Sequence, residues 1–247
     1  MDKLKDYLVK AWTSVSMATS AGVLVFIFYY IVRKGIGEIS YEYISSSPSG
    51  FPVGTEGGIF PAIIGSIMLM AIASIIAGLF GVGTAVYVVF YSKNEKIKSV
   101  IELVIQCIAG IPSIVFGLFG YSMFVINFGM GRSLLSAGVT LGIMIYPYVE
   151  IRVEKSFSEI ESNILMSSYG LGISKQYTVK NIVLPLTAKE IASSLLIGGG
   201  HALGAAAPII LTGVVISAGV PKSINSPFMA LPFHLYMLIS QGISVEK

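Results

Sequence analysis

The chain has 247 residues, of which 54% are hydrophobic and 12% are charged, and its formal net charge is +3. A soluble domain carries roughly 25% charged residues, so too little polar sequence is present here to cover a water-soluble body. The composition excludes a soluble globular protein, and the unbroken apolar runs exclude the short alternating strands of a membrane β-barrel. An all-α polytopic membrane protein is predicted.

Six stretches without Asp, Glu, Lys or Arg predict about six membrane-spanning helices. A bilayer core takes roughly 20 apolar residues per helix, and a charge at its centre costs at least ~2.5 kcal/mol. In chain order the stretches are residues 11–32, 61–91, 103–130, 133–149, 191–220 and 223–245. The first lacks the small-residue cleavage site of a signal peptide, so it is expected to be retained as a helix.

Lysine and arginine are unevenly divided between the two sides of this arrangement. With the N-terminus in the cytoplasm, 12 of the 16 Lys and Arg residues lie on the cytoplasmic side. Because cationic loops stay in the cytoplasm, both termini of this multi-pass plasma-membrane protein are predicted to be cytoplasmic. The same bias accounts for the net charge without a nucleic-acid partner.

Polar segments between these helices predict the loops. Residues 33–58 are rich in Ser, Gly and Pro and predict an irregular external loop. A short cytoplasmic loop is expected around residues 93–96. Residues 150–190 form the main cytoplasmic insert, in which helical spacing up to Tyr169 and the turn-forming Gly172 predict two short helices joined by a bend.

Two pairs of glycines, Gly138 with Gly142 and Gly200 with Gly204, show the small-x-x-x-small spacing that lets helix backbones approach closely. Both pairs are therefore expected to be helix-packing sites.

Several chemistries are missing from the sequence. It contains neither a phosphate-binding P-loop nor a metal-ligand spacing. No acidic residue lies in the six stretches, which argues against a proton relay. His201 lies near the middle of the fifth stretch and is expected either to bond a neighbouring helix or to line an anion pathway. His234 is expected nearer the external end of the last span, with less reason for a function.

The residues discussed so far leave open two functions other than transport, a membrane enzyme and a structural anchor. A membrane enzyme would pair Ser113 or Ser136 with His201, although no motif selects these serines. A purely structural anchor would not need the polar insert at residues 150–190.

Several sequence motifs indicate which family of membrane protein the chain resembles. Gly172 followed after nine residues by Ile182-Val183-Leu184-Pro185 is similar to the cytoplasmic loop of ABC importer permeases. Other segments resemble the phosphate-specific permeases of the PstA type and occur in the same order. They are Gly57–Ile63, Ile111–Gly120, Ala206–Gly213 and Ala230–Tyr236.

This resemblance implies the all-α fold of a type I importer permease over residues 59–247, preceded by a helix and external loop over residues 1–58. It implies a coupling loop at about residues 150–190 that docks into the ATPase. The expected coupling residues are Ser167, Ser168, Gly170, Gly172, Leu184 and Pro185, and the expected pathway residues are Pro112, Ser113 and His201.

The resemblance also implies partners. They are a second, homologous permease (PstC type), an ATPase dimer (PstB type), an extracytoplasmic phosphate-binding protein (PstS type) and membrane lipid. This chain is expected to bind no cofactor and to perform no covalent chemistry, because ATP is hydrolysed on the partner ATPase.

The chain departs from the family pattern at two places. Met166-Ser167-Ser168 stands where the family has Glu-Ala-Ala, so docking is expected to use Glu161 or Lys175. In the fifth helix, His201 and Ala205 replace a family arginine and glutamate. Arginine binds phosphate bidentately and is always charged, whereas histidine is not. Either the partner permease carries the charged pair, or the substrate is another oxyanion such as molybdate, tungstate or sulfate.

Overall fold

The computed structural model describes residues 2–50 and 56–240. The chain divides after Ser46 into two compact units, which are described separately. Residues 241–245 of the sixth predicted stretch lie outside the described residues.

The first unit is dominated by one long helix, α1 (Asp2–Gly35). The 31 residues Lys5–Gly35 are apolar enough to cross a membrane, and the apolar window within them is not buried in protein. A helix that is apolar all round is typical of contact with lipid.

A short helix, α2 (Tyr41–Ser45), follows, and the Ser40 hydroxyl caps it by accepting a hydrogen bond from the Tyr43 amide at 3.1 Å. The expectation of an irregular loop was therefore wrong for this part of residues 33–58.

The second unit begins with the antiparallel strands β1 (Pro48–Ser49) and β2 (Glu56–Gly57). Its longer helices are α3 (Phe60–Val86), α4 (Glu95–Ala109), α6 (Leu134–Ser158), α10 (Ala188–Gly204) and α12 (Leu231–Ser240). The short helices are α5 (Ser113–Gly120), α7 (Ser162–Gly170), α8 (Lys175–Thr178), α9 (Leu184–Leu186) and α11 (Ala207–Thr212). Wider π-helical turns follow three helices, at Tyr87–Tyr91, Tyr121–Asn127 and Val179–Val183.

The predicted all-α fold class is confirmed, but the third and fifth predicted stretches are each divided between two helices, α4 with α5 and α10 with α11. Among residues 2–50 and 56–240, three helices, at Lys5–Gly35, Phe60–Tyr91 and Leu134–Ser158, are long and apolar enough to cross a membrane. The number rises to five if two bent pairs each count as one span. The chain bends by 98° between α4 and α5, where Pro112 precedes the first residue of α5. Proline lacks an amide donor and disfavours helix in the residue before it, so the third stretch cannot continue as one helix.

Helices α3, α6 and α10 pack together at glycines. A methyl group on Gly142 would lie 2.8 Å from Ile76 on α3, and one on Gly138 would meet Ile72. This confirms the packing role of the first glycine pair. The prediction for Gly200 and Gly204 was wrong for packing within the described part of this chain, because a methyl group on either would meet nothing there within 4 Å.

Helix α10 instead makes its close contacts through two glycines just before that pair. A methyl group would lie 3.2 Å from Val149 at Gly198 and 2.8 Å from Met70 at Gly199. The pattern of small residues was read correctly as a packing signal, but the packing face lies on neighbouring positions of the helix.

Helix α6 begins in a network with residues far along the chain. The amides of Ser133, Leu134 and Leu135 donate to the carbonyls of Thr212, Ser226 and Ile224 at 3.1, 3.0 and 2.8 Å. These bonds satisfy amides at a helix start that have no partner inside the helix.

We call residues 213–230 the closing segment. Its buried residues Phe228, Met229 and Ala230 lie just before α12. The first amide of α12, from Leu231, donates to the Ser66 hydroxyl of α3 at 2.9 Å. The closing segment thus connects the starts of α3, α6 and α12.

The other end of α6 corrects a predicted boundary. The fourth stretch was expected to end at Val149, with the polar insert starting at Glu150, but the helix continues to Ser158. Glu150 is fully buried inside it. The expectation that no acidic residue lies in a span was therefore wrong by one residue, because the helix continues past the first charge.

Candidate functional site

Residues 162–186 form a compact unit that we call the coupling hairpin. Helix α7 ends at Gly170, and Gly172 follows with a φ of +75°, a left-handed conformation that glycine adopts without strain. Helix α8 then starts after Ser174, whose hydroxyl accepts a hydrogen bond from the Tyr177 amide at 3.3 Å. The predicted pair of short helices joined by a bend is confirmed.

Inside the hairpin, α7 and α8 are held together by hydroxyl groups. The hydroxyls of Ser168 and Thr178 hydrogen-bond at 2.5 Å, and both residues are buried. The Thr178 hydroxyl also lies 3.1 Å from the Ser174 carbonyl, to which it donates in the alternative arrangement. Val179 and Val183 extend the buried side of the hairpin into the hydrophobic core.

Lys175 ties the hairpin to the end of α3. Its ammonium donates to the Phe90 carbonyl at 2.6 Å and lies 5.6 Å from the centre of the Tyr91 ring. The Phe90 ring in turn packs against Phe157 on α6, with ring centres 5.7 Å apart. The hairpin therefore contacts the π-helical turn after α3 directly and the end of α6 through Phe90.

The outer side of the hairpin is apolar and exposed. Leu171 and Met166 expose 80% and 68% of their surface, and Tyr169 and Tyr177 are also exposed. Exposed apolar patches of this kind mark surfaces that bind another protein.

The predicted coupling residues divide between the two sides of the hairpin. Ser167, Gly170 and Pro185 are exposed, whereas Ser168 is buried and Leu184 packs partly against the core. Of the two residues suggested for docking, Glu161 is exposed, but Lys175 bonds within the chain to Phe90.

A second cluster lies at the break between α4 and α5. Ser113 and His201 line one cavity of about 200 Å³, together with Tyr148, Ile111, Phe116 and Met144. The imidazole of His201 stacks on the Tyr148 ring, with centres 4.8 Å apart and planes inclined by 23°. Ser113 is the first residue of α5, and Pro112 just before it sets the bend. The structure therefore brings the three predicted pathway residues to one place.

This arrangement suits an anion. The first amides of a helix are unpaired and carry the positive end of the helix dipole, so the N-terminus of α5 attracts negative charge. The Ser113 hydroxyl and the His201 imidazole add hydrogen-bond donors, and the residues lining the cavity include no carboxylate.

The other candidate groups lie elsewhere. Ser136 is buried in the first turn of α6, where its hydroxyl donates to the Gly131 carbonyl at 2.8 Å. His234 is buried in α12 and, like Ser136, does not line this cavity. Of the two serines considered for a membrane enzyme, Ser113 is the one that shares a cavity with His201.

Two of the sequence segments that resemble phosphate permeases pack against each other. Gly117 in the first is so close to the second that an added methyl group would lie 3.0 Å from the Cα of Pro208. Helix α5 therefore needs a glycine here to reach α11.

Sequence reasoning missed Tyr148 and the role of Lys175. Tyr148 lies 53 positions before His201, and no periodic pattern connects the two residues. Lys175 bonds to a backbone carbonyl, which any sequence supplies, so no partner residue could have indicated the contact.

Comparisons with known proteins give the family. Residues 77–239 match the family described as binding-protein-dependent transport system inner membrane component. A Bacillus subtilis protein named probable ABC transporter permease protein YqgI is 26% identical over 98% of this chain and 85% of its own length. A probable phosphate transport system permease protein PstA of Methanocaldococcus jannaschii is 28% identical over 99% of this chain and 84% of its own length.

A further relative and a solved structure agree. The phosphate transport system permease protein PstA 1 of Mycobacterium tuberculosis is 24% identical over 90% of this chain and 72% of its own length. The MetNI methionine ABC transporter in inward-facing conformations aligns with a TM-score of 0.62 and 16% identity, over 75% of this chain and 82% of that chain. This likeness supports the fold of an ABC importer permease.

The family match covers well over half of the chain, and the relatives extend the likeness over nearly all of it. The resemblance to PstA-type permeases found in the sequence is thus confirmed, and the fold is that of a type I importer permease. The chain belongs to the binding-protein-dependent transport system inner membrane component family, whose members are the membrane permeases of ABC transporters.

Proposed function

We propose that this chain is a permease subunit of an ATP-driven phosphate importer. The observation that carries the proposal is its similarity, over 90% to 99% of its length, to proteins named as phosphate transport system permeases in a bacterium and an archaeon. In the importer, the chain forms half of the translocation pathway, and a second, homologous permease forms the other half.

The coupling hairpin transmits the motion of the ATPase. Its exposed apolar side, with Leu171 and Met166, docks into a cytoplasmic ATPase dimer that binds and hydrolyses ATP. The bond from Lys175 to Phe90 and the contact of Phe90 with Phe157 pass the displacement to α3 and α6. Because the hairpin belongs on the cytoplasmic side, this assignment also places both termini in the cytoplasm, in agreement with the positive-inside bias.

The cavity beside His201 receives the anion. The N-terminus of α5, the Ser113 hydroxyl and the imidazole contact phosphate oxygens, and the Tyr148 ring holds the imidazole in place. An extracytoplasmic binding protein delivers the phosphate from the other side of the membrane. Phosphate is moved and not chemically changed, so this chain needs no cofactor of its own.

A second candidate is an importer for another oxyanion, such as molybdate, tungstate or sulfate. His201 and Ala205 favour it, because they stand where the resembling permeases carry an arginine and a glutamate. At the position of His201 this chain therefore has no guanidinium for bidentate binding of phosphate.

The test is ATP-dependent uptake into vesicles that contain this chain with the permease, ATPase and binding protein of neighbouring genes. Radiolabelled phosphate is supplied with or without an excess of molybdate or sulfate. Phosphate uptake that resists both competitors supports the phosphate importer. Uptake abolished by either competitor, or no phosphate uptake while the ATPase is active, supports the second candidate.

A further inference from the structure

Glu150 is a carboxyl group in an unusual place. It is 0% exposed, in the lower part of the long helix α6. Neither of its carboxylate oxygens has a hydrogen-bond partner among the residues that the structure describes. A buried carboxylate without donors loses its hydration and gains nothing in return, so its charged form is strongly disfavoured there.

The space next to Glu150 holds more negative than positive groups. A cavity of about 270 Å³ between α4 and α6 is lined by Glu150 together with Glu102, Gln106, Glu154 and Lys155. Lys155 is the cation that lines this cavity, but it is exposed and its ammonium lies 3.8 Å from the carboxylate of Glu159. Arg152 is nearer along α6, but it is exposed and does not line this cavity. Two further carboxylates facing the same cavity oppose ionisation of Glu150.

The side chains around Glu150 are not arranged to neutralise its charge with a bound metal ion. Within residues 2–50 and 56–240, no group of three or more His, Cys, Asp or Glu side chains is placed to hold one. A proton neutralises one carboxyl group without any further ligand, and it fits the space left by the described side chains.

The helices around Glu150 make its protonation relevant to the pathway. The preceding residue, Val149, packs against two glycines, Gly81 on α3 and Gly198 on α10. Tyr148, one residue further back, stacks on His201. On the remaining neighbour, α4, the charged group facing the cavity is Glu102.

We infer that Glu150 is a proton-binding site of this permease, and that its proton holds α4 against α6 next to the Tyr148–His201 pair. Loss of the proton places an uncompensated negative charge between the two helices, and α4 moves away until water reaches the carboxylate. The site binds a proton whatever anion the permease carries, so the inference does not depend on phosphate.

The test uses dicyclohexylcarbodiimide, an apolar reagent that reacts with protonated carboxyl groups in apolar surroundings. The full chain, in its complex with the ATPase and second permease, is labelled over a series of pH values and mapped by mass spectrometry. We expect a label on Glu150 that falls several-fold as the pH rises, because the ionised carboxylate does not react. The exposed Glu159, which directly follows the last residue of α6, is the internal control and remains unlabelled.

Two variants complete the experiment. Glu150→Gln keeps the size of the side chain and imitates the neutral acid, so it should abolish the label and make the thermal stability of the complex insensitive to alkaline pH. Glu159→Gln should leave both properties as in the unchanged protein. An unlabelled Glu150 at every pH, or a label that does not change with pH, would overturn the inference, and neither result requires any variant to fold.

Discussion

The ammonium of Lys175 donates to the carbonyl of Phe90 at 2.6 Å, and this bond joins the coupling hairpin to the end of α3 across 85 positions of the chain. A second long-range contact supports the same junction, because the Phe90 ring packs on Phe157 of α6. Under the proposed function, a movement of the hairpin would enter the helix bundle at this junction.

Replacing Lys175 by Met tests this junction. The stem of the side chain is retained, but the charged hydrogen bond is lost, so we expect a loss of about 1 kcal/mol in unfolding free energy. Uptake per ATP hydrolysed should fall, because the hairpin moves without carrying α3 along. Lys180→Met, in the exposed π turn that follows α8, is the matched control and should behave like the unchanged protein. Equal coupling in the two variants would show that the bond does not transmit motion.

The hydroxyl pair inside the hairpin gives a second prediction. Ser168→Ala removes one partner of the buried Ser168–Thr178 bond, and we expect a loss of about 1 kcal/mol in stability. The loss is limited because the Thr178 hydroxyl can still donate to the Ser174 carbonyl. Ser167→Ala, next to it but exposed, should change the melting temperature very little. A melting curve of each purified variant in detergent makes the comparison.

The apolar side of the hairpin predicts where the ATPase binds. Leu171→Ser removes the most exposed leucine of that side, and we expect about tenfold weaker binding of the ATPase, since burying a leucine is worth about 1.5–3 kcal/mol. Stability should be unaffected, because the residue contacts water in the isolated chain. Ile224→Ser, an exposed residue at the opposite end of the bundle, is the control. Titration of the ATPase onto permease in nanodiscs measures both, and equal affinities would contradict the docking surface.

Because Tyr148 stacks on His201, we expect substitutions of Tyr148 to change the KM for the transported anion. Tyr148→Phe keeps the ring and should retain uptake, whereas Tyr148→Leu releases the imidazole. An aromatic pair is worth about 0.5–1.5 kcal/mol, so the KM for the transported anion should rise about two- to tenfold in the leucine variant. Initial uptake rates over a range of anion concentrations give the KM. Equal loss in the two variants would mean that the phenol hydroxyl matters and not the stacking.

Two glycines of α3 give opposite predictions for the same substitution. A methyl group at Gly65 would press on the Met229 carbonyl and lie 3.2 Å from the Phe228 ring, so Gly65→Ala should destabilise by about 1–3 kcal/mol. A methyl group at Gly83 meets nothing within 4 Å, and Gly83→Ala should stabilise the helix by about 0.5–1 kcal/mol. Thermal unfolding of both variants tests the pair, and a shift in the same direction would refute the packing described for the closing segment.

The long helices could be predicted from the sequence because the absence of charged residues adds up over many positions. Exclusion of charge over some 20 residues identifies α3 and most of α6 whatever the neighbours are. The end of α6 could not be found in the same way, because the prediction stopped at the first charged residue. Glu150 is buried by packing with other helices, and a pattern along one helix does not report that packing.

The candidate site was predictable in part. His201 was predicted from its place in an apolar stretch, and Pro112 and Ser113 from a resemblance of motifs. Ser113 and His201 line one cavity, and Pro112 directly precedes Ser113. Their relationship to Tyr148 depends on how α6 is rotated against α10, which is decided by Val149 fitting against Gly198. The contact between Lys175 and Phe90 depends on the fold of the hairpin, so it cannot be predicted from the types of the two residues.

The long-range bonds at the start of α6 set a condition on how the protein is made. The amides of Ser133, Leu134 and Leu135 find their carbonyl partners at Thr212, Ser226 and Ile224, which are synthesised some 80 to 90 residues later. While the chain emerges from the ribosome, α6 therefore enters the membrane with unpaired polar groups at one end. Only synthesis of α11 and the closing segment completes them, so a chain truncated before α11 would be left with unpaired amides at the start of its central helix.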